Sequence, residues 1–317
     1  MCEFIHRSVL TREVVEALRP RPGGIYVDGT IGGGGHAAAL LQASAPTGKL
    51  FGCDRDGTAV RAAQARLAPF AGRFEIRQGS FADLAGWIEP NSCDGVVLDL
   101  GVSSPQLDLP ERGFSFQSDG PLDMRMDAEE ELTAAALLNQ AGVEELARIF
   151  WEYGGEAHAR RMARAIERQR RVEPLRRTRE LAELIERVAP RGGRRTHPAT
   201  KVFQALRIAV NDEMGHLRRG LEAAVEILKP GGRLAAISFH SVEDRVLKKF
   251  GGRLSRDYEA GEPDVPELRR PRPPVLRWVE RKAIRPGAAE ARENPRSRSA
   301  QCRVLEKCVE HGPKQKK

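Results

Sequence analysis

The chain has 317 residues, 40% of them hydrophobic, enough to bury the core of one large or two modest domains; no run approaches the ~20 apolar residues of a membrane span and residues 1–12 lack a signal-peptide pattern, so a cytoplasmic protein without membrane contact is expected. Its five cysteines (Cys2, Cys53, Cys93, Cys302 and Cys308) form no C-x-x-C pair and its seven histidines no H-x-x-x-H pair, which argues against a disulfide framework and against a metal site. The formal net charge of +8 is segregated: residues 269–317 carry a net +10 and residues 160–195 a net +8, leaving the rest acidic, a distribution suited to a polyanion-binding surface.

In chain order, Ile25-Tyr-Val-Asp28 reads as a short buried strand, followed by Gly29-Thr-Ile-Gly-Gly-Gly-Gly35 and a helix from His36 to Ala43. Residues 49–54, 74–77 and 94–100 read as further strands, with a helix at 57–67 after the first of them. This alternation predicts βαβ units and a doubly wound, Rossmann-like α/β core. From 108 to 197 the pattern turns helical and arginine-rich, with helices expected over 134–153, 157–170 and 178–189. A long amphipathic helix is expected from Pro198 to Leu228, then a turn at Lys229-Pro-Gly-Gly232 and a strand at 233–239 that belongs beside the first four. The expected organisation is therefore a core of residues 1–107 and 198–317 interrupted by a helical insertion, 108–197. Residues 260–300, rich in Pro, Arg and Glu, are expected to be extended and partly mobile.

The loop Gly32-Gly-Gly-Gly-His-Ala37 fits G-x-G-x-x-A between a strand and a helix, where glycines let the backbone approach a ligand. Asp54 ends the next strand, placed to accept from two ribose hydroxyls. NAD and S-adenosylmethionine both suit these features. Asp28 separates them, because a carboxylate there repels a pyrophosphate and tolerates a sulfonium and an ammonium. Phe81, after the third strand, is placed to stack on adenine, and Asp99 ends the fourth strand near the methionine moiety. His36, at a helix N-terminus that disfavours its cationic form, would meet a ligand as a neutral donor or acceptor.

After the fourth strand comes Asp99-Leu-Gly-Val-Ser-Ser-Pro-Gln106, which in an open α/β sheet lies at the ligand crevice. Its Ser-Pro-Gln is similar to the Ser/Asn/Asp-Pro-Pro-aromatic loop of amino-methyltransferases without the aromatic, and an ordinary Ser-Pro turn fits the segment equally well. A cysteine nucleophile for methylation of a pyrimidine ring carbon is missing here, since Cys93 precedes the strand. A dehydrogenase using the same glycine loop, and a binding module that kept the fold and lost the chemistry, are the rival classes. Asp28 speaks against the first, and the intact Asp54, Asp99 and Ser-Ser-Pro-Gln set against the second. In the helical block Arg161, Arg164 and Arg168 suit either RNA or ion pairs with the acidic segment 119–152.

Several long motifs resemble one family. The run Gly24-Ile-Tyr-Val-Asp-Gly-Thr-Ile-Gly-Gly-Gly-Gly-His36, Leu98-Asp-Leu-Gly-Val-Ser-Ser-Pro-Gln-Leu-Asp108, Asp119-Gly-Pro-Leu-Asp-Met-Arg-Met-Asp127, His197-Pro-Ala-Thr200 and Ser238-Phe-His-Ser-Val-Glu-Asp-Arg245 are similar to the bacterial ribosomal RNA small subunit methyltransferase H family. The resemblance runs from residue 6 to about 304. It departs at Gly33 and Ile31, where family members often carry Arg and Phe. It implies a Rossmann-like S-adenosylmethionine methyltransferase with a helical insertion that serves as an RNA-recognition lobe. The implied reaction is methylation of N4 of a cytidine in the decoding region of 16S rRNA, on naked RNA or on the small ribosomal subunit. Gly34, Gly35, His36, Asp54, Phe81, Asp99 and Gln106 would contact the cofactor by this resemblance, which moves Gln106 from the reacting base to S-adenosylmethionine. Asp99, Ser103 and Ser104 are the catalytic candidates, with Asp123 a further candidate for holding the cytosine. A DNA amino-methyltransferase is the alternative activity.

Overall fold

The computed structural model describes residues 8–190, 196–261 and 264–309, and for Ser104 and Pro105 the backbone alone. Cys2, residues 191–195 of the basic segment and the chain beyond 309 lie outside the described residues. The chain divides into two compact units, residues 1–101 with 215–317, and residues 102–214.

The first unit opens with α1 (Thr11–Leu18), then β1 (Ile25–Asp28), α2 (Gly35–Ala43), β2 (Lys49–Asp54), α3 (Gly57–Leu67), β3 (Phe74–Gln78) and β4 (Cys93–Asp99). The second unit holds α4 (Ser104–Asp108), α5 (Ala134–Gln140), α6 (Val143–Glu152), α7 (Ala159–Val172), α8 (Thr178–Val188) and α9 (Ala199–Val210). Helix α10 (Glu213–Ile227) leads back into the first unit, where β5 (Leu228–Ser238), α11 (Ser241–Leu254), β6 (Tyr258–Glu259), β7 (Arg270–Pro271), β8 (Leu276–Trp278), α12 (Ala288–Glu293) and β9 (Gln301–Lys307) follow.

The main sheet has seven strands in the order β3-β2-β1-β4-β5-β9-β8. Strands β1 to β5 pair in parallel, and β9 and β8 close the edge antiparallel. The chain winds outward from β1 to β3, then crosses to the other side of β1 to lay down β4 and β5. The order therefore reverses between β1 and β4, and in open α/β sheets that switch point is where a crevice opens at the carboxyl ends of the strands. Val27, Val96, Val97 and Leu98 are fully buried, as the central strands of a sheet covered on both faces require. The second unit is helical around its own core of residues such as Leu138, Phe150, Met162, Ile166, Ile185 and Leu206.

Several expectations need correction. The segments 134–153 and 198–228 are each two helices. The first breaks at Ala141 and Gly142, which adopt extended ψ angles of 146° and 159°. The second breaks at Asn211, whose Nδ2 donates to the Met124 carbonyl (2.8 Å) and whose Oδ1 accepts from the Met126 amide (2.7 Å), followed by Asp212 at φ 43°. The units meet in sequence at 101/102 and 214/215, not at 107/108 and 197/198. Helix α9, placed by sequence in the core, joins the helical unit because Val202, Phe203, Ala205 and Leu206 pack into the helical core. The turn at 229–232 falls inside β5 as an irregularity, the pairing with β4 slipping between Cys93 and Gly95.

Residues 260–300 are better structured than their composition suggests. Leu276 on β8 is fully buried, Ile284 bridges to Cys302, and the Glu290 carboxylate accepts from the Leu10 amide at 2.8 Å. Strand β9 was hidden in the basic tail. Its arginine and acid are structural: Arg303 donates to Asp244 (2.6 Å), and Glu306 accepts two bonds from Arg233 (3.0 Å each).

Asn211 ties the turn at 124–126 to the end of α9 within the second unit. Asn211→Ala leaves a buried carbonyl and amide without these partners, so it should destabilise that unit by about 2–3 kcal/mol. Urea titration followed by hydrogen exchange on α9 checks this, with faster exchange at 207–210 expected.

Candidate active site

The site is built at the carboxyl ends of β1, β2 and β4 in the first unit. Asp28, Asp54 and Asp99 each occupy the last residue of its strand. Asp28 pairs with Gly52 of β2 and with Val97 of β4, so Asp54 and Asp99 stand two residues further along the neighbouring strands, in the same alternation.

The glycine loop is fastened to both neighbouring strands. The Gly29 amide donates to Val97 O and the Ile31 amide to Cys53 O, both at 3.0 Å. Thr30 Oγ1 accepts from the Asp99 amide at 2.6 Å. Gly34 sits at φ 76°, where a side chain is strained, and a Cβ there would lie 3.3 Å from the Ala63 backbone on α3. The loop thus leaves β1 by a tight turn and enters α2 at Gly35.

The three carboxylates differ in what they hold. Asp54 Oδ2 accepts from the Gly32 amide (2.9 Å) and Oδ1 from the Asp56 amide (3.0 Å), which leaves further lone pairs. Asp28 Oδ1 accepts from the Thr30 amide at 3.2 Å. Asp28 Oδ2 and Asp99 Oδ1 are buried with no hydrogen-bond partner among the described residues. Burial pushes the Asp28 carboxyl up to about 7, with the Asp54 charge adding to it, and lifts Asp54 to about 6. Asp99 is driven well above the usual carboxylate range by burial first and by the charges of Asp28 and Glu243 second. Two unpartnered carboxylate oxygens in a buried strand-end cluster are costly alone and suit a cationic guest with hydrogen-bond donors.

The same residues 3–308 match the MraW methylase family as a whole. The chain belongs to the MraW methylase family. It is 50% identical over 307 residues to the Ribosomal RNA small subunit methyltransferase H of Syntrophotalea carbinolica, covering 95% of this chain and 98% of that one. It is 49% identical over 309 residues to the protein of the same name in Symbiobacterium thermophilum, covering 96% and 97%.

Among the expected site residues of this methylase, Gly34, Gly35, His36, Asp54, Phe81 and Asp99 all lie in the first unit, on or beside the strand ends. His36 is buried on the first turn of α2. Its Nε2 meets the Val9 carbonyl at 2.8 Å, and since a carbonyl only accepts, Nε2 carries the hydrogen. Its Nδ1 stands 3.8 Å from Asp99 Oδ2, so the ring faces the carboxylate from behind. Phe81 packs over Gly220 of α10, so closely that a Cβ there would come within 2.1 Å of the ring.

Ser103, Ser104 and Gln106 follow in the second unit. Gln106 is buried and its Oε1 accepts from the Ser103 amide at 2.9 Å, so it braces its own loop. The Ser104 side chain lies outside the described residues. Asp123 is clasped by Arg125: Oδ1 accepts from the Arg125 amide (3.0 Å) and Nε (2.8 Å), and Oδ2 from Nη2 (2.7 Å).

Sequence reasoning missed four contributors. Thr30 anchors Asp99, Gly220 makes room for Phe81, and His216 Nδ1 holds Ser80 Oγ at 2.7 Å. Glu243 is buried, and its Oε2 accepts from the Phe239 amide at 2.8 Å in a capping box with His240 at the start of α11. A lone glycine in an amphipathic helix and the His-x-x-Glu cap were the available signals.

Folded Asp28 keeps its proton up to about pH 7, whereas the unfolded chain releases it near 3.9. Between those values the folded protein binds more protons, so the ligand-free protein should lose stability as pH rises through that window, by up to ~1.4 kcal/mol per unit. Asp28→Asn should flatten the trend and exceed the parent in stability at pH 8. Urea midpoints at pH 5, 6, 7 and 8 decide it, and parallel curves for the two proteins would contradict the buried-acid account.

Proposed function

We propose that this chain transfers a methyl group from S-adenosylmethionine to small-subunit ribosomal RNA, the acceptor being N4 of a cytidine in the decoding region of 16S rRNA. The observation that carries the cofactor is the pair of buried, unpartnered oxygens on Asp28 and Asp99 at the sheet's switch point. A pyrophosphate would add negative charge to a carboxylate cluster, whereas a cationic amino acid neutralises it. The relatives' names supply the substrate class.

The residues present fit this group. Asp28 and Asp99 would take the positively charged methionine end, Asp54 the ribose diol, and Phe81 the adenine, with Gly34 and Gly35 admitting it close to the backbone. S-adenosylmethionine supplies a methyl on a positively charged sulfur, so the acceptor needs no covalent activation by the protein. What the protein supplies is alignment and a home for the departing proton. An exocyclic amine that gains a methyl loses a proton, and Asp99, once the cofactor's positive charge has ionised it, is the proposed acceptor, with an oxygen that has no partner among the described residues. The Asp99 backbone is held by Thr30 Oγ1, which accepts from its amide at 2.6 Å. The assignment of Ser103 and Ser104 to the target base rests on the sequence.

Asp54→Ala should weaken S-adenosylmethionine binding about tenfold or more, since charge-assisted hydrogen bonds contribute roughly 1.5–3 kcal/mol. Calorimetry at pH 7.5 reads this, and an unchanged affinity in a folded variant removes Asp54 from the site. For the parent, affinity should rise from pH 5 to about 7.5, because Asp54 and Asp28 must shed protons held to about 6 and about 7 before they meet a cation. Binding at pH 6 should therefore release protons.

The reaction is tested by tritium transfer from labelled S-adenosylmethionine to small subunits lacking the mark, followed by nucleoside analysis. N4-methylcytidine, or its 2′-O-methylated form, is expected, and Asp99→Ala should fold and turn over very slowly. Label in 5-methylcytidine, N6-methyladenosine or protein would defeat the assignment, and label in DNA alone would favour a DNA amino-methyltransferase.

A further inference from the structure

A second concave surface lies within the helical unit, between α6 and α7. It encloses about 750 Å³ and is lined by Glu144, Arg148, Trp151, Arg161, Arg164 and Arg168 among others. Trp151 is 62% exposed. The helix does not need that ring for packing, since Leu146, Ile149 and Phe150 already fill its buried face. Tryptophan is enriched at interfaces, where its apolar body and polar N–H can both be used, and this ring lies in a concave surface lined by arginines.

The charges around it are unequal. Arg148 is paired with Glu152 at 3.1 Å and Arg160 with Glu144 at 3.8 Å, so both nearby acids already face a cation. Arg161, Arg164 and Arg168 are exposed and have no ion pair among the described residues. The two readings left open by sequence thus separate, and these three are not partners of the acidic segment. Their spacing puts them on one face of α7 over roughly 10 Å, opposite the buried Met162, Ala163, Ala165 and Ile166.

We propose that the α6–α7 groove binds a single-stranded segment of RNA, with Trp151 stacking on a base and Arg161, Arg164 and Arg168 neutralising phosphates. Aromatic rings stack on any base and unpaired guanidiniums track any phosphate backbone, so this combination recognises an unpaired strand with little regard for sequence. An acidic protein segment would satisfy the arginines and leave the ring without a π-face to meet. The proposal rests on the reading that the substrate is RNA and adds which residues outside the strand-end site grip that RNA.

The test uses the full-length protein and a fluorescently labelled, unstructured oligoribonucleotide, with affinity read by anisotropy over a range of salt. Arg161→Gln/Arg164→Gln/Arg168→Gln should reduce the magnitude of the log–log salt slope by about 2, since each single-strand phosphate contact contributes ~0.7. Trp151→Ala should weaken binding about tenfold, and Trp151→Phe should recover part of the loss. Bound oligonucleotide should quench tryptophan emission in the parent and much less in Trp151→Phe. S-adenosylmethionine affinity should be unchanged in every variant, since none of the substituted residues belongs to the strand-end site, and melting temperatures verify folding. An unchanged slope and affinity in the triple variant would overturn the groove, even if the parent methylates ribosomal RNA. Loss of binding to RNA-free small-subunit proteins with RNA affinity intact would also overturn it, in favour of a protein partner. Failure of the parent to methylate RNA at all would instead refute the substrate reading, and the two failures are read in separate assays.

Discussion

Three carboxylates end three adjacent parallel strands, and two of them are buried with an oxygen that has no hydrogen-bond partner among the described residues. Mutual repulsion and desolvation both oppose that arrangement, and the raised proton affinities of Asp28, Asp54 and Asp99 are its direct expression. A fold selected for stability alone would place asparagine or an apolar residue there. The surroundings make the cluster tolerable without neutralising it. Backbone amides of Thr30, Gly32 and Asp56 hold the oxygens that are satisfied, and Thr30 Oγ1 pins the Asp99 backbone. Several cations of the first unit are committed elsewhere, Arg233 and Arg277 to Glu306, Arg303 and Lys248 to Asp244, while Arg55 partly offsets the charge of Asp54. The cluster keeps its raised proton affinity all the same, and an incoming cation would relieve it.

The sheet order explains why the recess is where it is. The order reverses at β1, so the loops after β1 and β4 leave their strand ends in different directions. The glycine loop turns away at once, held by the φ of Gly34 and the close approach of α3. Phe81 enters from the β3 side and is carried by α10, a helix that arrives from the far side of the second unit in sequence. Gly220 therefore couples a residue late in the chain to one near its start.

The central strands, the glycine loop and the strand-end aspartates were legible because each has a local signature: apolar runs bounded by glycine, and an acid at a fixed place after them. Strand β9 was not, because Gln301-Cys-Arg-Val-Leu-Glu-Lys307 carries its charges at positions that the fold neutralises through Asp244 and Arg233, both remote in sequence. The break at Asn211 was hidden for a related reason. Its amide is bonded to carbonyl and amide groups at 124 and 126, and no local propensity announces a tertiary contact. Gln106 and Asp123 show a different limit. Both are polar residues in long motifs whose side chains also brace their own loops, a role that no sequence pattern announces.

Net charge was the least specific signal, and the structure divides it. In the tail, Arg269 is bound to Asp264 at 2.7 Å, Arg272 donates to the carbonyls of Arg253 and Tyr258, and Arg303 and Lys307 knit β9 to its neighbours. A guanidinium already committed to an internal acceptor must break that bond before it can hold a phosphate, so such residues add little to binding even though they count fully in the net charge. On α7 the count runs the other way. Arg161, Arg164 and Arg168 have no acidic partner among the described residues, and they line the same concave surface as an indole that is mostly exposed. The charge that matters for a polyanion is therefore the fraction that folding leaves unspent, and in this chain it is clearest on one face of one helix.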